Sequence, residues 1–178
     1  MRKLKITELN RLTSDEYKAC SKIPLIVVLD HVRSMNNIGS VFRTADAFRL
    51  EAVYLCGITA TPPHPEIHKT ALGAESTVDW RYFEHTRDAI TVLKEQEYVL
   101  CAIEQAEGSV LLNELRVEPD KKYALILGHE VKGVQQEVVS LCDYCIEIPQ
   151  YGTKHSLNVS VAGGIVLWDF FKQLSTFV

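Results

Sequence analysis

The sequence predicts an α/β fold, a mostly parallel sheet covered by helices on both faces. Three observations carry this expectation. Two runs, Leu25-Ile26-Val27-Val28-Leu29 and Tyr123-Ala124-Leu125-Ile126-Leu127, are continuously apolar, as strands buried on both faces are. Shorter strand-like runs alternate with helix-length amphipathic stretches along the chain. At 178 residues, 47% hydrophobic and 24% charged, the chain can fill one core, and it holds no internal repeat or low-complexity linker.

Each element has a local reason. Thr13-Ser14-Asp15-Glu16 is a capping box, so a short helix runs to about Cys20 and forms, with what precedes it, a helical extension over residues 1–24. Pro24 opens the first strand, and residues 25–178 form the main domain. A polar loop over 30–37 leads to a helix over 38–48, with Val41, Ala45 and Phe48 as its apolar stripe. A strand over 52–56 and a Pro-rich loop precede Pro65, well placed in the first turn of a short helix ending near Gly73. The alternation continues with strand 77–83, helix 87–96 and strand 98–103. After the strand over 123–127 come a helix over 135–141, a strand over 144–148 stopped by Pro149, and a final helix over 158–174.

Charge and cysteine usage narrow the class. The start mixes charges with apolar residues and lacks the apolar core of a signal peptide, and no run approaches a membrane span. A cytoplasmic protein with reduced thiols is the expectation. Cys142-x-x-Cys145 and the pair His64 and His68 raise the question of zinc, but a tetrahedral site needs four converging ligands, and these are far apart and flanked by prolines. No metal is expected. The net charge of −4 does not advertise nucleic-acid binding, yet residues 1–49 hold nine Lys and Arg against five Asp and Glu, which leaves room for a phosphate-binding face.

Ligands in parallel sheets bind beyond the carboxyl ends of the strands, and three loops there carry residues odd for connectors. In Asn36-Asn37-Ile38-Gly39-Ser40-Val41-Phe42-Arg43, Asn37 is placed to cap the helix, and Gly39 admits another backbone or a phosphate. Spacing alone favours an Arg43 ion pair with Asp46 on a solvated face. In Leu127-Gly128-His129-Glu130-Val131-Lys132-Gly133, the glycines either let backbone groups wrap a neutral ring or only shape the turn. Neither a dinucleotide fingerprint nor a P-loop is present. In the third loop, Ile148-Pro149-Gln150 through Ser156-Leu157-Asn158, either Ser156 or Asn158 is placed to cap a helix apolar nearly all round, which must be buried in the core or against another subunit.

Together these three segments resemble the motifs of the SpoU/TrmH-like RNA ribose methyltransferases of the SPOUT superfamily, over about residues 25–172. Lys69-Thr70-Ala71-Leu72-Gly73-Ala74 also resembles the family's stretch between its first two motifs. The resemblance implies a C-terminal deep trefoil knot, a topology that ordinary connection rules exclude. It implies S-adenosylmethionine cradled by loops 127–133 and 148–157, with Leu127, Gly128, Gly133, Ile148, Gln150 and Leu157 around it and Gly128, Ile148 and Leu157 holding the adenosine largely through backbone groups. It implies a homodimer through the final helix, and RNA, tRNA or rRNA, as partner.

By the same resemblance, Arg43 acts at the target nucleotide. Because arginine is a poor proton acceptor, orienting the ribose and stabilising a developing alkoxide suit it better than taking the proton. Asn37, Glu130, Ser156 and Asn158 match the family's other polar motif positions, and the last three are expected to fix Arg43 and the cofactor loop by hydrogen bonds. Gln150 departs from the family, where methionine commonly follows Ile-Pro. The extra N-terminal RNA-binding domain of many rRNA-directed members is missing, which leans slightly toward tRNA. A non-catalytic RNA-binding or assembly protein is the rival, but a scaffold has no need of all five polar residues.

Overall fold

The structure, a computed structural model, describes residues 1–175; the last three residues of the expected main domain lie outside them. It is a seven-stranded sheet in the order β3-β2-β1-β6-β4-β7-β5, in which every neighbouring pair is parallel. The strands are β1 (Ile23–Asp30), β2 (Leu50–Cys56), β3 (Trp80–Phe83), β4 (Tyr98–Ile103), β5 (Val110–Leu111), β6 (Lys122–Leu127) and β7 (Tyr144–Glu147). The helices are α1 (Ser14–Ala19), α2 (Met35–Ala47), α3 (Pro65–Ala71), α4 (Thr86–Glu95), α5 (Gln136–Val139) and α6 (Val159–Leu174).

Alternation along the central strands sorts the core into two layers. Leu25, Val27, Leu29, Leu125 and Leu127 point to the face covered by α2, α3 and α6, where they meet Ile38, Phe42, Ile67 and Phe170. Ile26, Val28, Ala124 and Ile126 point to the opposite face, against Ile90 and Leu93 of α4 and Val138 of α5. Both faces are thus dry, which explains why β1 and β6 read as unbroken apolar runs. Leu29 pairs with Leu55 on one side and Leu127 on the other, so β1, β2 and β6 end level.

Several sequence expectations shift. Helix α2 starts at Met35, and its cap is Ser34, whose side chain accepts from the Asn37 amide; Asn37 is inside the helix and does not cap it. The strand expected over 77–83 is β3, only four residues long, because Ala74–Ser76 turns as a 3₁₀ helix whose hydrogen bonds reach Thr77 and Val78. Helix α5 is a single turn, and β5 had no counterpart in the sequence reading. Asn158, with Oδ1 accepting from the Ser160 and Val161 amides, caps α6, and Ser156 does not. Thr13 and Glu16 form the expected capping box of α1, which docks through buried Tyr17.

Gly39 is needed for close helix packing. A Cβ there would lie 2.2 Å from the Ile67 carbonyl oxygen of α3, so it is a backbone that approaches Gly39. At the far end of α2, Phe48 stacks on Phe171 (5.0 Å) and meets Trp168 of α6 (5.7 Å). Helix α6 is not covered all round, for Val161, Ile165 and Trp168, at i, i+4 and i+7, are 40–51% exposed. Among the described residues no helix is long and apolar enough to cross a membrane. Gly39→Ala is expected to destabilise the fold by about 1–3 kcal/mol, read as a lower urea midpoint at unchanged slope.

Candidate active site

Beyond the carboxyl ends of β4, β6 and β7 lies a cavity of about 490 Å³, walled by residues 103–106, 127–134 and parts of 148–157, with Val159 and Ala162 of α6 behind. The 128–133 loop is closed on itself. The His129 amide donates to the Gly133 carbonyl (3.0 Å) and the Gly133 amide to the His129 carbonyl (2.8 Å), while His129 Nδ1 accepts from the Val131 amide (3.0 Å). Gly133 has φ +67°, and a Cβ at Gly128 would lie 2.1 Å from the Gly133 carbonyl carbon. Both glycines therefore shape the turn, and both also line the cavity.

Glu130 ties this loop to α2. Its Oε1 accepts from the Ser34 amide (2.9 Å) and Asn37 Nδ2 (3.0 Å), and its Oε2 from the Arg33 amide (3.1 Å). Burial pushes the Glu130 carboxyl up, but these hydrogen bonds outweigh it and hold the group below the ordinary carboxylate range. The chain of contacts continues, with Asn158 Nδ2 donating to Asn37 Oδ1 (3.1 Å) and Ser160 Oγ donating to Asn158 Oδ1 (2.7 Å). Asn37, a buried side chain, joins the start of α6 to the second loop.

The structure brings eight of the eleven sequence-derived candidates to one cavity: Leu127, Gly128, Glu130, Gly133, Ile148, Gln150, Ser156 and Leu157. Asn37 and Asn158 stand behind it, linked through Glu130. Arg43 is elsewhere. It sits on the exposed face of α2, beside a groove shared with Ser40, Phe48, Lys69 and Thr70. The expected pair with Asp46 is not made, because Asp46 Oδ1 accepts from Thr77 Oγ1 (2.8 Å). Among the described residues the Arg43 and Ser156 side chains make no hydrogen bond, so the expected bonds fixing Arg43 are instead bonds fixing Asn37 on the same helix.

Sequence reasoning missed the fourth wall of the cavity. Glu104, at the end of β4, accepts from the Val134 amide at Oε2 (3.0 Å) and the Gln105 amide at Oε1 (2.9 Å), and Gln105 Nε2 donates to the His155 carbonyl (2.7 Å). Position was the available signal, since these residues follow a strand whose carboxyl end faces the same side as β6. Asp30, fully buried at the end of β1, was also missed; it accepts from Thr86 Oγ1 (2.6 Å) and from the Gln135 amide (2.9 Å), anchoring the starts of α4 and α5.

The sequence's metal-type residues have other work. His64 Nδ1 caps α3 and His68 pairs with Glu75 (2.6 Å). The Cys142 and Cys145 thiols donate to the Val138 and Glu104 carbonyls, and burial pushes Cys142 up to about 12. Among the described residues no three His, Cys, Asp or Glu converge.

A parallel sheet with a loop-walled cleft of mixed polar and apolar lining at the ends of its central strands defines an α/β protein with its cleft where such sheets take their ligands. Within that class the chain belongs to the SpoU rRNA Methylase family, which matches residues 24–168. It is 32% identical over 173 residues to the 23S rRNA (guanosine-2′-O-)-methyltransferase RlmB of Nitrosomonas europaea, covering 96% of this chain and 65% of that one. It is 29% identical to the tRNA (guanosine(18)-2′-O)-methyltransferase of Thermus thermophilus, covering 94% and 84%. The AdoMet-bound rRNA methyltransferase from Sinorhizobium meliloti superposes with a TM-score of 0.80 at 28% identity, covering 92% and 60%. The chain thus spans less than two thirds of the length of the first and last of these relatives.

Because the Glu130 carboxyl is held low, its contribution to stability is full above the unfolded carboxylate value of about 4.3 and is lost as pH falls through the lower folded value. Urea unfolding over a pH series is expected to show that acid limb in the wild type. Glu130→Gln is expected to weaken the limb and to cost about 1–2 kcal/mol near neutrality.

Proposed function

We propose that this chain transfers a methyl group from S-adenosylmethionine to a ribose 2′-hydroxyl of RNA, with tRNA slightly favoured over rRNA, as a cytoplasmic homodimer. The observation that carries the reading is the single cavity into which all six cofactor candidates fall, with the Glu130 carboxylate at its wall. The residues fit the donor: Leu127, Ile148 and Leu157 offer apolar surface to a flat ring, and the Gly128 and Gly133 turn offers bare backbone for its polar edge. When bound, that donor supplies a methyl group already activated on a sulfonium.

The protein's own part is alignment. Glu130 holds the second loop on the start of α2, and Asn37 and Asn158 hold the start of α6 on the same point, so the cavity wall and Arg43's helix move as one body. Arg43, exposed, outside its own chain's cavity and without a side-chain partner among the described residues, reaches across the dimer surface to the second subunit's cavity, where it orients the target ribose and stabilises the charge developing on its oxygen as the methyl arrives. The 2′-proton leaves to another acceptor, since a guanidinium does not take it.

Two further features belong to this reading. The exposed Val161, Ile165 and Trp168 stripe of α6 is the dimer surface, and through Phe48 it adjoins the Arg43 groove. The C-terminal part of the domain forms the trefoil knot that the family resemblance implies.

S-adenosylmethionine is expected to raise the melting temperature, and a nicotinamide dinucleotide to leave it unchanged. Mass spectrometry of RNA from cells with and without the gene is expected to show one 2′-O-methyl nucleoside missing, and its source RNA decides between tRNA and rRNA. Arg43→Ala is expected to abolish that product, by a factor of about 10² or more, with secondary structure and dimer retained. A normal rate from this variant refutes the role given to Arg43.

A further inference from the structure

Two of the loops that line the cavity, and the loop before α2 that is tied to its wall through Glu130, each carry a cation. Arg33 precedes α2, and its amide is bonded to Glu130 in the cavity wall. Lys132 lines the cavity directly, with its amide 3.4 Å from His129 Nδ1. Lys154 adjoins His155, another lining residue, whose carbonyl is held by Gln105. All three cations are exposed, and among the described residues none has an ion pair or side-chain hydrogen bond. The neighbouring carboxylates are turned inward, Glu130 onto Arg33, Ser34 and Asn37, and Glu104 onto Val134 and Gln105, leaving exposed Glu107 as the nearby countercharge in sequence.

On the same lip stand two apolar side chains with almost no cover: Tyr151 is 96% exposed and Val131 85%. A lone exposed tyrosine needs no explanation. A tyrosine that directly follows the lining residue Gln150, on the same exposed loop as the unpaired Lys154, in a chain of net charge −4, is different. Cations that neutralise phosphates beside an aromatic ring that stacks on a base are the recurring means of holding unpaired RNA.

We infer that this lip is an RNA-contact surface, on which Tyr151 stacks against an unpaired base next to the nucleotide entering the cavity. Arg33, Lys132 and Lys154 pair with the flanking phosphates. The inference rests on the methyl-transfer reading for the identity of the cavity's ligand, but its own readout is RNA binding. An unpaired segment is required, because a base within a duplex shows no free face to a side chain.

The test uses the full chain and a fluorescently labelled single-stranded RNA about 12 nucleotides long, within the span one such site covers, with unfractionated tRNA and rRNA as further ligands. Tyr151→Ala is expected to weaken binding by about tenfold and to raise the KM for RNA, while the S-adenosylmethionine dissociation constant stays unchanged. Tyr151→Phe, which keeps the ring, is expected to bind like the wild type. Lys132→Ala and Lys154→Ala are each expected to flatten the slope of log affinity against log salt by about 0.7. Unchanged RNA affinity in Tyr151→Ala, or no RNA binding by the wild type, overturns the inference. RNA binding that depends on Tyr151 without any methylation upholds the lip and refutes the methyl-transfer reading; methylation indifferent to Tyr151 does the reverse.

Discussion

The Glu130 carboxylate is the point on which the site's architecture turns. Two backbone amides at the start of α2 and one side-chain amide within it converge on this single anion. A carboxylate held by amides near the positive end of a helix dipole is well solvated by the protein itself, so partial burial does not neutralise it. Asn37 then passes the constraint on, using its donor for Glu130 and its acceptor for Asn158. Three segments far apart in the chain are locked by one charge and two amides.

The sheet makes that lock possible. Because β1 and β6 are adjacent, parallel and in register up to the pair Leu29 and Leu127, the loops that follow them leave the sheet side by side. Neighbouring β4 ends on the same side, so Glu104 meets the far end of the loop that Glu130 starts. One carboxylate pins each side of the 128–134 turn, and the cavity lies between them. The fold's contribution to chemistry is this levelling of strand ends; specificity is left to the loops.

Much of the fold was legible in the sequence because burial on both faces writes itself as continuous apolar strands, as in residues 25–29 and 123–127. What was not legible was either too short or too distant. Strand β5 is two residues and α5 four, below the length at which periodicity registers. The cap of α2 was misplaced by three residues since Ser34 and Asn37 are equally good cap types, and only Glu130's demand for the Asn37 amide separates them. Asp46 was assigned to Arg43 on helical spacing, but a threonine 31 residues away takes it. The cavity candidates came from the family resemblance, whereas Glu104 and Gln105 follow no motif and needed the third dimension.

The reach of Asn37's two bonds has a consequence for how the molecule comes into being. Its partners lie 93 and 121 residues further along. Contacts of such long range form late and slowly, after the local helices and hairpin-free strand pairs have gathered. On the ribosome, α2 therefore emerges with only its local Ser34 cap, and the Arg33 and Ser34 amides and the Asn37 side chain stay bonded to water until Glu130 has followed. A truncated chain ending between Glu147 and Asn158 carries all seven strands and the Glu130 anchor but lacks the tie that fastens the start of α6 to Asn37, so the sheet is complete while the site is not.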